Sequence, residues 1–399
     1  MSYKNIYILG VGGSGMSSIA KYLKQKGDNV IGYDQRKSYV TNLLNQDGIK
    51  VVHTLDEITY KPESLYIYSS AIPIESDRFE DFYDKENVLS RPEYLKNLSE
   101  NHKIIGITGT HGKTSTTALL SHIFHFNNVN VSYLYGGITT FNGIGGHYGD
   151  PDQPLILETD EAFNTFEKIK ISDLLVLNVD SDHLDYFKNL DNYKDAFYKV
   201  MKNVTDNLVI NNDDLNIKTM KELKNPVSYG KDIAADFKVQ SPGTFIYENN
   251  KYEIKSDIIG DHFKANMLGA IILALLNGIE IKDSLNAIES FAGVKRRIEL
   301  IGISKGVLIY DDYGHHPTEM EATITALKQQ TESKLYVVFQ PHRYTRTMEY
   351  FNSFKDSLKL ADFAIVTDIY PAGESPIPGI SSKNFEEESI KYLKSIRYV

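Results

Sequence analysis

Short apolar runs alternate with segments of helical spacing along the first hundred residues. The runs NIYILG, NVIGYD and SLYIYSSA predict strands, and residues 14–26 between the first two predict a helix. Strands that alternate with helices are typical of a parallel sheet with helices on its faces. A polar stretch at 90–103 predicts a helix and a linker, after which KIIGITG begins a second series of strands.

The middle of the chain continues this alternation and then departs from it. LILETD, DLLVLNVD and NLVINNDD predict buried strands that end in or are followed by acidic residues. Residues 227–258 carry the short runs FKVQ, TFIYEN and KYEIK, which indicate a small antiparallel insertion. The spacing of HFKANMLGAIILALLNG predicts a helix that ends at Gly278. From about residue 300, GVLIYDD, KLYVVFQ and DFAIVTDIY predict a third α/β unit.

A glycine-rich loop follows the first predicted strand and precedes the first predicted helix. GVGGSGM places Gly10, Gly12 and Gly15 in G-x-G-x-x-G spacing, which lets main-chain amides at a helix N-terminus surround a pyrophosphate. This spacing alone also fits an NAD-dependent dehydrogenase, in which Asp34, about twenty residues further on, would bind the ribose.

A second loop, GITGTHGKTSTTALL, lies between a strand and a helical segment. Its Lys113 would contact the β- and γ-phosphates of a nucleotide, and the Thr114 hydroxyl would bind Mg²⁺. Ile107 stands where the strict phosphate-loop pattern has its first glycine. Glu158 and His183 follow neighbouring predicted strands, where they would complete a cation site beside Thr114.

Basic residues gather at three places in the third unit. VKRRIE, YDDYGHHPTE and FQPHRYTRT each flank or follow a predicted strand. Guanidinium groups at strand ends would stabilise the negative charge that develops during phosphoryl transfer.

The composition narrows the class of protein. The 399 residues contain no cysteine, which excludes disulfides and thiolate metal sites and fits a cytoplasmic location. The net charge of −10 argues against a surface that binds nucleic acid. No apolar run approaches the roughly 20 residues that span a bilayer, so we expect no membrane insertion. MSYKNIYILG leads directly into a strand, and we expect no signal peptide.

Six motifs, in order from residue 6 to about residue 385, carry a family resemblance. The chain resembles the Mur ligases in GVGGSGMSSIA, TGTHGKTSTTALL, NVDSDHLDYF, DDYGHHPTE, FQPHRYTRT and DIYPAGESPIPGISS. The resemblance implies three α/β domains: an N-terminal Rossmann-like domain that binds UDP (1–98), a central P-loop-like ATPase domain (99–298) and a C-terminal Rossmann-like domain (299–399). Family members continue beyond the position of Val399, so we expect the third domain to lack its usual last strand or strands and helix.

The resemblance implies an ATP-dependent ligase of peptidoglycan synthesis. Such an enzyme joins L-alanine to the lactyl carboxylate of UDP-N-acetylmuramate through an acyl phosphate and a tetrahedral intermediate, with ATP and two Mg²⁺ ions. It implies a monomer or weak homodimer in the cytoplasm. Three alternatives stay open: a murein peptide ligase that recycles a tripeptide, a truncated homologue that binds nucleotides without catalysis, and the NAD-dependent dehydrogenase.

The resemblance also assigns roles to individual residues. The implied UDP-substrate residues are Gly12, Gly13, Ser14, Gly15, Met16, Asp34, Ser69, Ser70, Ala71, Ile72 and Arg91. The implied ATP-binding residues are Gly109, Thr110, His111, Gly112, Lys113, Thr114, Ser115, His262, Asn266, Arg297 and Asp312. The implied Mg²⁺ ligands are Thr114, Glu158 and His183. The implied catalytic residues are Lys113, His183, Arg297, His315, Arg343 and Arg346, of which the last two would face the acyl phosphate and the alanine carboxylate.

Two positions depart from the family pattern. Where the family usually has E-A-D-E-S-D, this chain has ETDEAF, so that Phe163 replaces the second aspartate while Glu158, Asp160 and Glu161 agree. Several relatives carry a carbamylated lysine near the second metal ion, and Tyr198 stands about where that lysine would lie. We therefore do not assign that modification.

Overall fold

The computed structural model describes residues 3–182, 184–220, 222–389 and 396–398. The chain divides into two units, Met1–Ser256 with Ala265–Val294 and Asp257–Lys264 with Lys295–Val399. The two glycine-rich loops lie in the first unit, and the three basic clusters lie in the second.

The first sheet is parallel throughout, as the alternation of strands and helices predicts. Its strands are β1 (Asn5–Leu9), β2 (Val30–Tyr33), β3 (Lys50–Val52), β4 (Ser64–Tyr68) and β5 (Val88–Ser90), and its helices are α1 (Ser14–Gln25), α2 (Tyr39–Gln46) and α3 (Arg91–Ser99). The spatial order is β3-β2-β1-β4-β5, so the order reverses between β1 and β4. Ligands of open α/β sheets bind in the crevice at such a reversal.

β1 is buried on both faces because its side chains alternate between two cores. Ile6 and Ile8 pack into the core that includes α1, whereas Tyr7 and Leu9 join an aromatic cluster on the opposite face. The ring of Tyr7 stacks on Tyr66 of β4 with 4.9 Å between centroids. This two-sided burial fixes the end of β1 and therefore the start of the first glycine loop.

The second sheet has ten strands in the order β15-β14-β13-β12-β11-β10-β6-β9-β7-β8. These are β6 (Ile104–Thr108), β7 (Ser132–Thr139), β8 (Gly143–His147), β9 (Leu155–Glu158), β10 (Asp173–Val176), β11 (Asn207–Asn211), β12 (Val227–Gly230), β13 (Phe237–Ser241), β14 (Thr244–Tyr247) and β15 (Asn250–Glu253). The accompanying helices are α4 (Lys113–Phe126), α5 (Leu184–Phe187), α6 (Leu190–Lys202), α7 (Leu215–Lys218), α8 (Asp261–Leu276) and α9 (Ile281–Glu289). β6 pairs in parallel with β9 and β10, so the carboxyl ends of these three strands meet at one edge.

The antiparallel insertion expected at 227–258 is present, but it is not a separate sheet. β14 pairs antiparallel with β13 and with β15. β13 also pairs in parallel with β12, so the insertion extends the second sheet. Phe237 stacks on Tyr247 at 4.1 Å and holds the first two insertion strands together.

The second unit contains two small sheets. Its elements are β16 (Glu299–Ser304), β17 (Val307–Asp311), α10 (Pro317–Gln329), β18 (Tyr336–Phe339), α11 (Tyr344–Glu349), α12 (Phe351–Leu358), β19 (Phe363–Val366), α13 (Ser382–Ser389) and β20 (Ile396–Tyr398). β18, β19 and β20 are parallel. Helices separate β17, β18 and β19 as expected, but β17 pairs antiparallel with β16 in a two-stranded hairpin that the sequence did not predict. Lys305 and Gly306 both have positive φ, at 49° and 82°, as two-residue hairpin turns require.

Among the helices that the structure describes, none combines the length and the apolar character needed to cross a membrane.

Gly146→Ala should destabilise the first unit. A Cβ at position 146 would lie 2.0 Å from the carbonyl oxygen of Ser18, so α1 and β8 would have to separate. Overpacking of this kind costs about 1–3 kcal/mol, and we expect a loss of at least this size in urea unfolding. Gly302→Ala is the matched control, since nothing lies within 4 Å of a Cβ there. Equal losses for the two variants would contradict the prediction.

Candidate active site

The nucleotide loop, residues 109–112, joins β6 to α4 in a shape that needs glycine. Gly109 and Gly112 have φ values of 145° and 85°, which side-chain-bearing residues rarely adopt. A Cβ on Gly112 would also lie 2.4 Å from Nδ2 of Asn266 in α8. The positive φ therefore favours glycine at position 112, and the predicted ATP-binding residue Asn266 lies against the loop.

Asn178, which follows β10, holds the middle of the loop. Its backbone carbonyl accepts a hydrogen bond from the Thr110 amide (3.1 Å). Its side-chain oxygen accepts from the His111 amide (2.8 Å), and its side-chain nitrogen donates to the His111 carbonyl (3.0 Å). The donors left for a phosphate are the first-turn amides of α4 at 113–115, which have no carbonyl partner within the helix.

Lys113 is the charge of this loop, and its side chain is 14% exposed. Its ammonium donates to the carbonyls of Gly109 (2.6 Å) and Thr110 (3.1 Å). It also lies 3.0 and 2.8 Å from the two carboxylate oxygens of Glu161, which is 1% exposed. Burial by itself would lower the pKa of Lys113, but the neighbouring carboxylates, Glu161 foremost, outweigh it and raise the pKa. Lys113 is therefore a permanent positive charge in a fixed position.

Glu158, at the end of β9, is held by two donors. The Thr114 hydroxyl donates to its Oε1 (2.7 Å), and the Gly136 amide donates to its Oε2 (2.6 Å). A carboxylate oxygen beside a hydroxyl oxygen suits Mg²⁺, which prefers oxygen ligands. The structure thus brings together two of the three predicted metal ligands. The third, His183, lies outside the described residues.

The first glycine loop closes against Asp34 at the end of β2. The Gly12 amide donates to Asp34 Oδ2 (2.8 Å), and the Arg36 amide donates to Oδ1 (3.0 Å). Both carboxylate oxygens therefore hold the backbone. The amides left to face an anion are those of the first turn of α1, at Ser14 and Gly15.

Two further predicted UDP-substrate segments border the same loop. A Cβ on Gly10 would lie 3.0 Å from Cβ of Ser69 and 3.4 Å from the side chain of Ile72. Arg91, the first residue of α3, packs over Gly15, where a Cβ would lie 2.8 Å from its Nε. All these residues lie at the reversal of strand order in the first sheet, as expected for a ligand crevice.

The two glycine loops approach the same point of β7, at Gly136 and Gly137. A Cβ on Gly136 would lie 3.1 Å from Oγ of Ser14 and 3.4 Å from Oε2 of Glu158. A Cβ on Gly137 would lie 2.9 Å from Cγ2 of Thr114. The missing side chains let the starts of α1 and α4 lie close to one strand. Sequence reasoning missed this pair, for which the dipeptide in YLYGGIT was the available signal.

The acidic run ETDE also connects the loops. Asp160 Oδ2 lies 3.9 Å from Nη1 of Arg91, beside the first loop. Glu161 pairs with Lys113 in the second loop. Neither carboxylate was predicted as a site residue, although an acidic run after a buried strand was a signal for both.

In the second unit, Glu319 in the first turn of α10 contacts the predicted residues His315 and Arg297. Its carboxylate accepts from the His315 amide (3.0 Å). It also lies 3.6 Å from Nδ1 of His315 and 3.8 Å from Nη1 of Arg297. Asp312 accepts two backbone amides, at 2.8 and 2.7 Å. One of them belongs to the residue after Arg297, so Arg297, Asp312 and His315 form one cluster.

Glu374 holds Arg343 in a left-handed conformation, with φ of 71°. Its carboxylate accepts from Arg343 Nε (2.6 Å) and from the amide and hydroxyl of Thr345 (3.0 and 2.7 Å). Partial burial works to raise the pKa of Glu374, but these hydrogen bonds outweigh it and lower the pKa to about 2. Glu374 is the last residue of DIYPAGE and was not predicted as a site residue.

Basic side chains lie near His342, together with the carboxylate of Glu374. The ring centroid of His342 lies 6.0 Å from that of His315. Burial lowers the pKa of His342, and the charges of His315, Arg346 and Arg343 lower it further. A group of cations of this kind suits an anionic ligand such as a carboxylate or a phosphate.

The predicted site residues therefore fall into two groups. Among the described residues, those of the first unit lie near the crevice after β1, in or against the loop after β6, or, for Glu158, at the end of β9. Those of the second unit are His262, Arg297, Asp312, His315, Arg343 and Arg346. The individual roles that the resemblance assigns stay predictions.

Three family profiles match successive parts of the chain. They are "Mur ligase family, catalytic domain" at 5–103, "Mur ligase middle domain" at 107–274 and "Mur ligase, glutamate ligase domain" at 296–397. A UDP-N-acetylmuramate–L-alanine ligase of Dictyoglomus turgidum is 35% identical over 97% of this chain and 86% of its own length. The chain belongs to the Mur ligase family.

Solved structures of Mur ligases share the architecture. The UDP-N-acetylmuramate-alanine ligase MurC from Thermotoga maritima matches with a TM-score of 0.81 at 26% identity, over 99% of this chain and 90% of that one. A murein peptide ligase from Psychrobacter arcticus matches with a TM-score of 0.72 over the same shares, and its 22% identity shows the fold alone. The three-domain α/β architecture is therefore confirmed, whereas the borders at 98 and 298 stay predictions.

The Glu374 clamp should contribute stability that depends on pH. Because the folded pKa lies below the ordinary value of 4.5, the contribution is present above about pH 4.5 and is lost as the pH falls towards 2. The unfolding free energies of the parent protein and Glu374→Gln should therefore differ most above that range and converge below it. Glu321→Gln, on the exposed face of α10, is the control. A difference that does not change between pH 6 and pH 2.5 would refute the clamp.

Proposed function

We propose that the chain is an ATP-dependent ligase that joins L-alanine to the lactyl carboxylate of UDP-N-acetylmuramate and releases ADP and phosphate. One observation carries the proposal: the starts of α1 and α4 approach β7 at Gly136 and Gly137, where the Gly136 amide donates to the carboxylate of Glu158. Relatives named UDP-N-acetylmuramate–L-alanine ligase at 35% identity support it.

The first loop would hold the pyrophosphate of the UDP substrate. The start of α1 offers main-chain amides and the positive end of a helix dipole to an anion. Arg91, packed over Gly15, would add a charge-assisted hydrogen bond. The remainder of the substrate would then extend towards Gly136 and the second loop.

The second loop would hold ATP. The amides at 113–115 and the ammonium of Lys113 would bind the β- and γ-phosphates. Thr114 and Glu158, with His183, would hold Mg²⁺. The metal, when bound, would reduce the repulsion between the substrate carboxylate and the polyanionic γ-phosphate.

The proposed reaction has two steps. A lactyl carboxylate oxygen attacks the γ-phosphorus and the bond to ADP breaks, while the fixed charge of Lys113 stabilises the phosphoryl oxygens. The neutral amine of alanine then attacks the acyl carbon, and phosphate leaves from a tetrahedral intermediate. The cluster of His315, Arg343 and Arg346 would bind the alanine carboxylate and the acyl phosphate.

Particular contacts bear on the alternatives. The dehydrogenase is disfavoured, because the three family profiles that match successive parts of the chain are all those of Mur ligases. A nucleotide-binding homologue without catalysis is disfavoured by the preserved contacts of Lys113 and Glu158. A murein peptide ligase shares the fold and is the second candidate. A cytoplasmic location and a monomer or weak homodimer stay predictions.

The amino-acid substrate decides between the two candidates. We expect phosphate release with UDP-N-acetylmuramate, ATP and L-alanine to exceed that with L-serine or glycine. It should also exceed release with the tripeptide L-Ala-γ-D-Glu-meso-diaminopimelate. Preference for the tripeptide would transfer the assignment to the recycling reaction.

Lys113→Ala should abolish phosphate release and leave the binding of UDP-N-acetylmuramate largely intact. Removal of a preorganised charge at the transferring phosphoryl group lowers turnover by at least about a hundredfold. Lys218→Ala is the control, since Lys218 forms a surface ion pair with Asp232. Turnover of Lys113→Ala close to that of the control would refute the assignment of the loop.

A further inference from the structure

Tyr193 lies beneath the nucleotide loop although it belongs to no phosphate-binding motif. It stands in the first turn of α6, whose N-cap residue Asn189 accepts the Asn192 amide (2.8 Å). Its ring is fully buried and packs against Phe187 and Phe197, at 5.0 and 5.1 Å between centroids. These aromatic contacts hold the ring in place independently of its hydroxyl group.

The Tyr193 hydroxyl connects Thr110 of the loop with Glu161, which follows β9. It lies 3.0 Å from Oγ1 of Thr110 and donates to Oε1 of Glu161 (3.3 Å). Thr110 Oγ1 in turn accepts from the Asp180 amide (2.8 Å), and Glu161 pairs with Lys113. One phenol therefore links the side chain of Thr110, in the loop, to Glu161, the partner of the Lys113 ammonium.

The hydroxyl is suited to this place because it remains a donor. Burial, together with the Glu161 carboxylate, raises the pKa of Tyr193, so the oxygen keeps its proton. Each oxygen of a carboxylate can accept more than one hydrogen bond, so Glu161 can accept from the phenol as well as from Lys113. The phenol, as a donor besides Lys113, limits the positions that the Glu161 carboxylate can occupy. Because Lys113 pairs with that carboxylate, the position of its ammonium is limited as well.

We propose that Tyr193 is a positioning residue for the bound nucleotide: it ties Thr110 to Glu161 and thereby sets the Lys113 ammonium against the phosphates. The inference deepens the proposed function, since it assumes that the loop after β6 binds ATP. It does not depend on which amino acid is joined.

A matched pair of substitutions separates the hydroxyl from the ring. Tyr193→Phe keeps the buried ring and removes one oxygen. Tyr229→Phe, in β12, does the same at a buried tyrosine whose hydroxyl has no hydrogen-bond partner among the described residues. Any loss of stability or affinity that comes merely from removing a buried tyrosine hydroxyl should appear in both variants.

The first measurement is the Kd of the full-length protein for a non-hydrolysable ATP analogue with Mg²⁺, by calorimetry. We expect Tyr193→Phe to weaken binding about two- to tenfold, the range of one hydrogen bond, and Tyr229→Phe to leave it unchanged. The Kd for UDP-N-acetylmuramate should stay the same in both. Equal nucleotide affinities, or a parallel loss for both ligands, would overturn the positioning role.

A double-mutant cycle tests the connection through Glu161. Glu161→Gln keeps an acceptor for the phenol and removes the charge that holds Lys113, so it should weaken nucleotide binding more than Tyr193→Phe. If the phenol acts through Glu161, the double variant should bind more tightly than the product of the two single effects predicts. Strictly multiplicative effects would contradict this connection.

The binding experiments are independent of the ligation assay. Phosphate release that fails with UDP-N-acetylmuramate and L-alanine would remove the proposed reaction and leave the affinity comparison standing. Unchanged nucleotide affinity in Tyr193→Phe, with normal ligation in the parent protein, would remove only the role of Tyr193.

Discussion

The site depends on the compensation of one buried charge. An ammonium withdrawn from water is costly unless an opposite charge and hydrogen-bond acceptors replace its hydration. Glu161 supplies the charge, and the carbonyls of Gly109 and Thr110 supply further acceptors. Because these groups belong to different elements, the loop after β6 and the segment after β9 must both fold correctly before the Lys113 charge is compensated. The chemistry and the stability of the first unit are therefore linked.

Much of the fold could be predicted because its signals are local. The alternation around β1 and the helix after Lys113 depend on residues close together in sequence, and both appear where the patterns place them. The β16–β17 hairpin was missed because the first turn position holds Lys305, where glycine or asparagine usually indicates such a turn. The attachment of β13 to β12 depends on a parallel pairing that no local pattern indicates.

The site was only partly predictable, for a different physical reason. Lys113, Thr114 and Glu158 carry their chemistry in their own side chains, so motif spacing was sufficient to propose them as site residues. Glu161 and Glu374 act by holding another residue, which becomes visible only when the partners meet in space. Gly136 contributes a backbone amide and the absence of a side chain, and neither contribution can be predicted from the residue type alone.

The contact between Gly136 and Glu158 depends on the register of β7. β7 pairs with β9 so that Leu134 lies opposite Leu157, and this register brings the amide of position 136 to Glu158. A slip of one residue would bring a tyrosine or the next glycine to that point and would turn every side chain of β7 to the opposite face. A chain misfolded in this way would retain a sheet of ordinary strand content. Correct folding of this protein is therefore better judged by nucleotide affinity than by secondary-structure content.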